Sequence, residues 1–315
     1  MQTLTNHILQ KQRKTRQLTS GFHILLTQIE VTTKIIASHV KASGLVDILG
    51  KTGDTNSFGE EIQKLDAYAD KLLIDTLLKS GQVYALVSEE HRDPIYPEKE
   101  DQGDYIVYFD PLDGSSNINT NAAIGTIFSI YHKDGGLLQA GKKQIAAGYA
   151  IYGSSVMFVY TISDGVNGFT LDPSMGSYLL SHPYMQIAQA SPIISVNEAY
   201  ASIFPKQVNA YINHAKKKPK ASCRYIGSLV ADAHRTFIKG GVFMYPVTKK
   251  RPDGKLRLML EVNPFALLTQ QANGSVVGKS TENPLDIVPS HIHDRYPIIM
   301  GSRDNIGDYV SMLQD

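Results

Sequence analysis

The sequence of 315 residues contains no tryptophan, almost no cysteine, no excess of charge and no long apolar run. Its single cysteine, Cys223, cannot form an intramolecular disulfide, which excludes a disulfide-stabilised secreted domain and is typical of a reducing compartment. We expect this thiol to be a small buried apolar group. Lys and Arg number 31 against 30 Asp and Glu, so no global electric field favours binding to nucleic acid or to a membrane surface.

No segment reaches the roughly 18 consecutive apolar residues of a membrane span, and the N-terminal residues lack the pattern of a signal peptide. We therefore expect a cytoplasmic protein without membrane or nucleic-acid partners. A hydrophobic content of 42% and a charged content of 19% are typical of a globular protein. The length suggests one large domain or two of ordinary size. A change of pattern near 190–195 predicts two domains, 1–192 and 193–315.

Apolar periodicity predicts helices over 22–40, 60–80, 198–216 and 226–239, a further helix from Asn263, as the N-cap, to Gln271, and a short terminal helix. Residues 1–19 are expected to form a poorly ordered basic arm, and residues 51–59 a loop. Apolar runs between Gly and Asp turns predict strands over 83–87, 105–109, 125–131, 147–152, 156–162, 241–245 and 296–300. Because several strands follow one another before helices resume, we expect layered sheets and helices rather than a plain βαβ series.

Carboxylates stand at the ends of two of these predicted strands. Glu89 and Glu90 follow the first, Asp110 ends the second, and Asp113 lies three residues further on. Ionised carboxylates that are brought together raise one another's pKa, and a divalent cation removes this conflict. Mg²⁺ prefers hard oxygen ligands and takes carboxylates together with the phosphate oxygens of a substrate. These acids therefore predict a Mg²⁺ site.

The residues between and after the two aspartates support this interpretation. Pro111 stops strand pairing, so that Asp110 and Asp113 can bend toward one point, and the turn could aim the Leu112 carbonyl inward. The segment Gly114–Ser116 offers close backbone approach and amide donors, which suit a phosphate group. One such acid alone is more often a surface carboxylate, but the full string with an upstream Glu pair is far rarer by chance. The pattern predicts a Mg²⁺-dependent phosphatase that uses metal-activated water.

At these residues the chain resembles class I fructose-1,6-bisphosphatases, within the wider group of Mg²⁺-dependent, lithium-sensitive phosphatases. The wider group shares the Glu-Glu pair and the Asp-Pro-X-Asp-Gly-Ser/Thr turn. The resemblance implies the sugar phosphatase fold, an α+β sandwich in which layers of helices and sheets alternate. It covers about residues 20–302 and rests on the blocks Gly59–Asp66, Val87–Glu90, Phe109–Asn117, Ile124–Phe128, Arg224–Ser228, Gly241–Pro246, Gly254–Leu258 and Glu261–Pro264.

The resemblance also implies roles for individual residues around the metals. About two or three Mg²⁺ ions per site are implied, with Mn²⁺ as a substitute. Asp66 and Glu90 match groups that orient or deprotonate the attacking water, and Glu60 matches an acidic position that assists them. The implied metal ligands are the side chains of Glu89, Asp110, Asp113 and Glu261 and the carbonyl of Leu112.

Substrate contacts are implied in the same way. Arg224 matches an arginine that reaches into a neighbouring subunit's site, so the resemblance implies a homotetramer. Lys255 matches a lysine that contacts phosphate and sugar. The group that binds the leaving 1-phosphate would be Asp113 with the amides of Gly114, Ser115 and Ser116. The group that binds the 6-phosphate would be Asn197, Tyr200, Tyr225 and Tyr245.

Three positions depart from the AMP-regulated members of the resembled family. Phe22 stands where those members have an acidic residue, Asp104 stands where they have a lysine, and His132 stands where they have an arginine. Since two cations that would pair with a nucleotide phosphate are replaced, we expect an altered AMP-site region with weak or absent AMP inhibition. The cysteines of thioredoxin-regulated members are also missing, which argues against disulfide regulation.

Two other features have simpler interpretations. His291 and His293 have strand-like spacing but no nearby acid or cysteine motif, so solvated or structural histidines are expected. The run Lys216–Lys220 lacks stacking aromatics and is expected to be an exposed loop.

The leading hypothesis is hydrolysis of fructose 1,6-bisphosphate to fructose 6-phosphate, in gluconeogenesis or carbon fixation. Sedoheptulose 1,7-bisphosphate is the close rival substrate, and inositol monophosphate is disfavoured because Tyr225, Tyr245 and Lys255 imply a second phosphate. A catalytically silent sugar-phosphate-binding regulatory protein is the alternative from another class.

Overall fold

The computed structural model describes residues 1–14, 20–42, 51–55 and 61–314. Within these ranges the helices are α1 (Leu4–Lys14), α2 (Ser20–Ala42), α3 (Lys64–Leu78), α4 (Lys206–Lys216), α5 (Leu229–Lys239), α6 (Asn263–Gln271) and α7 (Arg303–Gln314). The strands of the N-terminal half are β1 (Lys51–Thr55), β2 (Glu61–Gln63), β3 (Val83–Ser88), β4 (Tyr105–Asp113), β5 (Ile124–His132), β6 (Ala146–Tyr152), β7 (Val156–Thr161), β8 (Val166–Asp172) and β9 (Ser177–Met185). Those of the C-terminal half are β10 (Ile193–Ser195), β11 (Ser222–Cys223), β12 (Val242–Tyr245), β13 (Leu256–Arg257), β14 (Ser275–Val277), β15 (Arg295–Tyr296) and β16 (Ile298–Gly301).

Two large sheets organise these strands. Strands β3 to β9 form a seven-stranded sheet in sequence order, in which β3 and β4 are parallel and the remaining neighbours are antiparallel. The second sheet has five strands in the order β11-β10-β12-β16-β14. Because β3 and β4 are parallel, their carboxyl ends lie at the same edge of the larger sheet, and this edge carries the acidic residues.

Helices cover both faces of both sheets. Leu26 of α2 and Leu73 of α3 belong to the core on one face of the larger sheet, and α5 and α6 belong to the core on its other face. Along β12, Phe243 joins this second core whereas its neighbours Val242 and Met244 join the core under α4 and α7, as the two-residue period of a strand requires. The layer order is therefore helix, sheet, helix, sheet, helix, which confirms the predicted α+β sandwich.

Several predicted elements differ from the structure at the N-terminus. Residues 1–19 do not form an arm over their described part, because Leu4 and Ile8 of α1 are fully buried in the first core. The predicted loop at 51–59 contains strand β1 over 51–55, and residues 56–60 lie outside the described part of the chain. The next helix begins at Lys64 and not at residue 60, because 61–63 pair with β1.

Local chemistry accounts for the differences further along the chain. Strands β8 and β9 were missed by the apolar-run criterion, since their residues are largely half-buried or exposed beyond position 169. Pro205 divides the predicted helix 198–216 into a 3₁₀ segment and α4, because a proline lacks the amide hydrogen that a continuous helix needs. Asn263 is not an N-cap but the first helical residue, since a buried π-helical turn over 258–262 runs directly into α6.

Two remaining expectations concern location in the fold. Cys223 is exposed rather than buried, because it lies on the edge strand β11 and its Sγ is 3.6 Å from Glu198 Oε1. The expected boundary between residues 192 and 193 falls in the connection from β9 to β10 and stays a prediction.

Among the described helices, none combines the length and the apolar character that crossing a membrane requires.

Candidate active site

A cavity of about 270 Å³ opens at the carboxyl ends of β3 and β4, beside the first turns of α3 and α5. We call it the acidic cavity. Most of the residues that the sequence analysis assigned to the site line it: Asp66, Glu89, Glu90, Asp110, Leu112, Asp113, Gly114, Ser115, Ser116, Tyr225, Tyr245, Lys255 and Glu261. The structure thus brings together acids that are separated by nearly 200 positions in the chain.

Three carboxylates converge within this cavity. Oxygens of Glu89, Asp110 and Glu261 all lie within 4.8 Å of one another. Burial, followed by the charges of neighbouring carboxylates, raises the pKa of Asp110 well above its usual range. Burial also raises the pKa of Glu261, to about 7, although Arg257 opposes this shift. Three hard oxygen donors at this spacing are costly to ionise together and fit a divalent cation such as Mg²⁺.

Arg257, for which no role was predicted from sequence, contacts two of these carboxylates. Its guanidinium forms an ion pair with Glu89, and its backbone amide donates to Glu261 Oε2 at 2.5 Å. Only 2% of this side chain is exposed. The sequence offered one signal for this role, because Arg257 stands between two apolar leucines that indicate burial. A buried arginine requires a carboxylate partner.

The turn that follows β4 is fixed by local contacts. Asp110 Oδ1 accepts the amide hydrogen of Leu112 at 3.0 Å, which holds the carboxylate at the start of the turn. Gly114 has a φ of 76° and lies against Ser228, so that a side chain at this position would meet the Ser228 Cβ at 2.6 Å. Glycine is therefore required here for two reasons, the left-handed backbone and the close approach of α5.

Asp113 is bonded differently from the three converging carboxylates. Its Oδ2 accepts from Ser228 Oγ at 2.7 Å and from the amide of Val230 at 2.8 Å, and its Oδ1 accepts from the amide of Leu229 at 3.3 Å. These donors belong to the N-terminus of α5, where a negative charge is stabilised by the helix dipole. Asp113 thus joins the larger sheet to the middle helix layer, and its predicted role as a metal ligand stays a prediction.

Asp66 and Glu90, the acids predicted to orient or deprotonate the attacking water, line the same cavity. Asp66 belongs to the first turn of α3, and burial, followed by the charge of Glu90, raises its pKa well above the usual range. Among the described residues no hydrogen-bond partner reaches the buried Asp66 Oδ1. The backbone amide of Glu90 donates to Ser88 Oγ at 3.2 Å. Glu60 lies outside the described residues, so its predicted role is not addressed by the structure.

A second cavity of about 390 Å³ adjoins the first, and we call it the tyrosine cavity. Asn197 and Tyr200 line it together with Tyr225, Tyr245 and Lys255, and these last three line both cavities. Lys250 and Arg251, which the sequence analysis did not assign, add two cations to its lining. Residues with hydroxyl, amide and ammonium donors therefore lie beside the acidic cavity, and such donors suit a second anionic group.

Arg224 lines neither cavity in this chain. It is exposed, and its Nη1 donates to the carbonyl of Cys223 at 3.1 Å. The loop that follows it is held by the fully buried Asp232, which accepts from the amides of Ile226 at 3.0 Å and Gly227 at 2.9 Å. Asp232 was missed because its partners come together only in the folded chain, and its sequence signal is no more than an acid in an apolar helix.

Comparisons with known proteins agree with this geometry. A family model described as the fructose-1,6-bisphosphatase N-terminal domain matches residues 2–183, and one for the C-terminal domain matches residues 187–314. The chain belongs to the fructose-1,6-bisphosphatase family. It is 48% identical to a class 1 fructose-1,6-bisphosphatase of Persephonella marina, with 98% of each chain covered. It is 44% identical to a cytosolic fructose-1,6-bisphosphatase of a Saccharum hybrid, covering 100% of this chain and 95% of that one.

A solved structure of a fructose-1,6-bisphosphatase has the same fold over the whole chain. The holo form of Leishmania major fructose-1,6-bisphosphatase superimposes with a TM-score of 0.95 at 34% identity, covering 100% of this chain and 99% of that chain. The resemblance that the sequence motifs indicated is confirmed. As a member of the fructose-1,6-bisphosphatase family the chain is a phosphatase, and its acidic cavity is the place where a metal would bind.

Neither the histidine pair nor the basic run lines the acidic cavity or the tyrosine cavity. His293 is buried, and burial, followed by the charge of Arg257, lowers its pKa to about 4, as in a structural histidine. In the basic run, Lys216 pairs with Glu198 and Lys218 pairs with Asp308. These ion pairs reduce the positive charge that the run could offer to a nucleic acid.

Proposed function

We propose that this protein hydrolyses the 1-phosphate of fructose 1,6-bisphosphate to give fructose 6-phosphate and phosphate. The observation that carries the proposal is the pair of adjoining cavities, one with converging carboxylates and one with tyrosines and cations, which share Tyr225, Tyr245 and Lys255. A sugar with a phosphate at each end would place the reacting group in the first cavity and the other in the second. Membership of the fructose-1,6-bisphosphatase family supports this substrate over sedoheptulose 1,7-bisphosphate.

Glu89, Asp110 and Glu261 would hold the metal, with Asp113 and the Leu112 carbonyl as further predicted ligands. We propose Mg²⁺, about two or three ions per site, with Mn²⁺ as a substitute. Bound ions would supply Lewis-acid stabilisation of the phosphoryl oxygens and would lower the pKa of water. The support for this assignment is the donor chemistry of three converging carboxylates.

The remaining groups of the acidic cavity would position the reactants. Gly114, Ser115 and Ser116 line the same cavity, and their amides would donate to the phosphate that leaves. Asp66 Oδ1 is a buried acceptor without a partner among the described residues, so it would accept a hydrogen from the attacking water. Glu90 lines the same cavity and would share this task.

The tyrosine cavity would bind the 6-phosphate. Burial raises the pKa of Tyr225, so its hydroxyl remains a hydrogen-bond donor over the physiological range. Asn197, Tyr200 and Tyr245 would add neutral donors, and Lys255 would add charge. Arg224 points to neither cavity of its own chain, which supports the proposal that it completes the site of a neighbouring subunit in a homotetramer. We place this activity in cytoplasmic carbohydrate metabolism, as in gluconeogenesis.

Phosphate release from fructose 1,6-bisphosphate, sedoheptulose 1,7-bisphosphate and inositol monophosphate tests the proposal, each with Mg²⁺, with Mn²⁺ and with EDTA. We expect release from fructose 1,6-bisphosphate to exceed the others and to stop with EDTA. Calorimetric binding of fructose 1,6-bisphosphate without any Mg²⁺-dependent release would favour the sugar-phosphate-binding regulatory protein instead. A faster reaction with the heptulose bisphosphate would reassign the substrate.

We also infer that AMP inhibits this protein weakly or not at all. Phe22 is buried, its ring lies 6.0 Å from that of Tyr105, and the Tyr105 ring lies 6.1 Å from that of His132. Asp104 pairs with Lys133 at 2.7 Å, so that the cation beside these rings already has an acidic partner. An AMP titration of the Mg²⁺-dependent activity checks this inference, and inhibition in the submillimolar range would contradict it.

A further inference from the structure

A chain of hydrogen bonds joins α3 to the turn after β3, behind the wall of the acidic cavity. Ser88 Oγ donates to Asp70 Oδ1 at 2.5 Å and accepts from the amide of Glu90 at 3.2 Å. His91 Nε2 lies 2.8 Å from Asp70 Oδ2, so both oxygens of this carboxylate are engaged. Ser88 is fully buried and Asp70 is 6% exposed. Of the four residues in this network, Glu90 lines the acidic cavity, whereas Asp70, Ser88 and His91 do not.

The network connects two elements that do line the cavity. Asp70 follows Asp66 by four positions in α3, so the two side chains lie on one face of the helix. Ser88 and His91 flank Glu89 and Glu90 on either side. A shift of Asp70 relative to Ser88 would therefore move Asp66 relative to Glu90.

The donors and acceptors of these groups determine which residue orients which. A serine hydroxyl has one hydrogen, and since it donates to Asp70, its lone pairs are left to face the amide hydrogen of Glu90. Hydrogen bonds that follow one another in a buried, low-dielectric region strengthen each other. The carboxylate of Asp70 thus fixes the orientation of the Ser88 hydroxyl, and the hydroxyl fixes the backbone of Glu90.

We propose that Asp70 is a positioning residue that acts through Ser88 and sets the separation of Asp66 and Glu90. The inference rests on the proposed function, in which these two acids handle the attacking water. Removal of the network should slow the chemical step and leave the tyrosine cavity intact, so kcat should fall while KM stays the same.

Steady-state kinetics of the full-length protein with Mg²⁺ test the proposal in the variants Asp70→Asn, Ser88→Ala and the double variant. We expect kcat to fall about tenfold to a hundredfold in each single variant with KM unchanged. Since the two residues act in one chain, the double variant should lose no more than a single one. Ser88→Thr keeps a hydroxyl and should retain most of the wild-type kcat.

A matched control separates positioning from general stability. Thr33→Val removes another buried hydroxyl, which donates to the Glu30 carbonyl at 2.9 Å and contacts the Tyr178 hydroxyl at 3.2 Å in the first core. Denaturant unfolding should show a comparable loss of stability in Thr33→Val and Ser88→Ala, but kcat should fall only in Ser88→Ala. Calorimetry with fructose 1,6-bisphosphate in EDTA should give the wild-type affinity for all variants.

Four results would overturn the proposal: an unchanged kcat in Asp70→Asn and Ser88→Ala, equal losses of kcat in Thr33→Val, a rise of KM that accompanies the fall of kcat, or additive losses in the double variant. If the wild-type protein released no phosphate, the proposed function and this inference would fail together. An active wild type with unaffected variants would overturn the inference alone.

Discussion

The acidic cavity and the tyrosine cavity share three lining residues, Tyr225, Tyr245 and Lys255, but the rest of their linings differ in charge and in polarity. The acidic cavity collects carboxylates from α3, from the ends of β3 and β4 and from the turn before α6. The described lining of the tyrosine cavity contains no carboxylate and includes the apolar residues Ile203, Phe204 and Met244. One region concentrates like charges, and the other offers neutral donors and cations.

The difference in charge between the two cavities affects the stability of the metal-free protein. Converging carboxylates destabilise the metal-free fold, because burial and mutual repulsion both disfavour their ionised forms. Burial disfavours the charge of Lys255 in the tyrosine cavity, but Tyr245 and Glu261 outweigh it and raise the pKa of this lysine. We therefore expect changes to the three converging carboxylates to alter stability and turnover in opposite directions, and changes in the tyrosine cavity to alter substrate affinity alone.

The largest effect is expected for Asp110→Asn. Loss of one carboxylate from the converging three should lower kcat/KM by about 10³-fold, since a bound metal supplies several kcal/mol of transition-state stabilisation. The free energy of unfolding of the metal-free variant should rise by about 1 kcal/mol or more, because a buried repulsive charge is removed. Urea unfolding in EDTA measures this gain. A loss of stability would contradict the contrast between the two cavities.

Asp113→Asn should lose activity as well, but its stability should change in the opposite sense. Burial raises the pKa of Asp113, but its carboxylate accepts three hydrogen bonds from the start of α5 that oppose this shift and that the amide of asparagine cannot all accept. Charge-assisted bonds of this kind stabilise a fold by about 1–3 kcal/mol. Urea unfolding in EDTA should therefore show a less stable protein than the wild type. If Asp113→Asn were instead as stable as Asp110→Asn, the α5 contacts would not be the main partners of this side chain.

Tyr245→Phe tests the second cavity and should have a smaller effect. Loss of one hydroxyl that donates to a phosphate should raise KM for fructose 1,6-bisphosphate about tenfold, with kcat nearly unchanged. Fructose 1-phosphate, which lacks the second phosphate, serves as the control substrate, and its turnover should not respond to the substitution. An equal loss with both substrates would show that Tyr245 acts on the reacting phosphate.

The features of the fold and of the site that could be predicted from sequence are those that depend on contacts between neighbours in the chain. The turn from Asp110 to Ser116 could be predicted from sequence, because a strand end, a proline and a glycine act on their immediate neighbours. The roles of Arg257 and Asp232 could not be, since each depends on partners brought by packing. The same reason explains α1, whose polar composition suggested an arm, although Leu4 and Ile8 belong to the first core and His7 contacts Tyr160 and Phe169, more than 100 positions away.

The change with the smallest expected effect on turnover lies outside both cavities, at His234 in the middle helix layer. Its Nδ1 lies 2.8 Å from the Tyr149 hydroxyl, and burial lowers its pKa to about 4. Between pH 6.5 and 4 the unfolded chain binds a proton that the folded protein excludes, so stability should fall as the pH falls. For this one group the loss should reach about 2 kcal/mol at pH 5 and vanish above pH 6.5.

In His234→Gln the free energy of unfolding between pH 7 and 5 should change less than in the wild type by that amount, whereas His214→Gln, at an exposed position of α4, should change as the wild type does. An unaltered pH dependence in His234→Gln would mean that the acidic cavity or another histidine controls the response, and the separation of the middle layer from the two cavities would have to be given up.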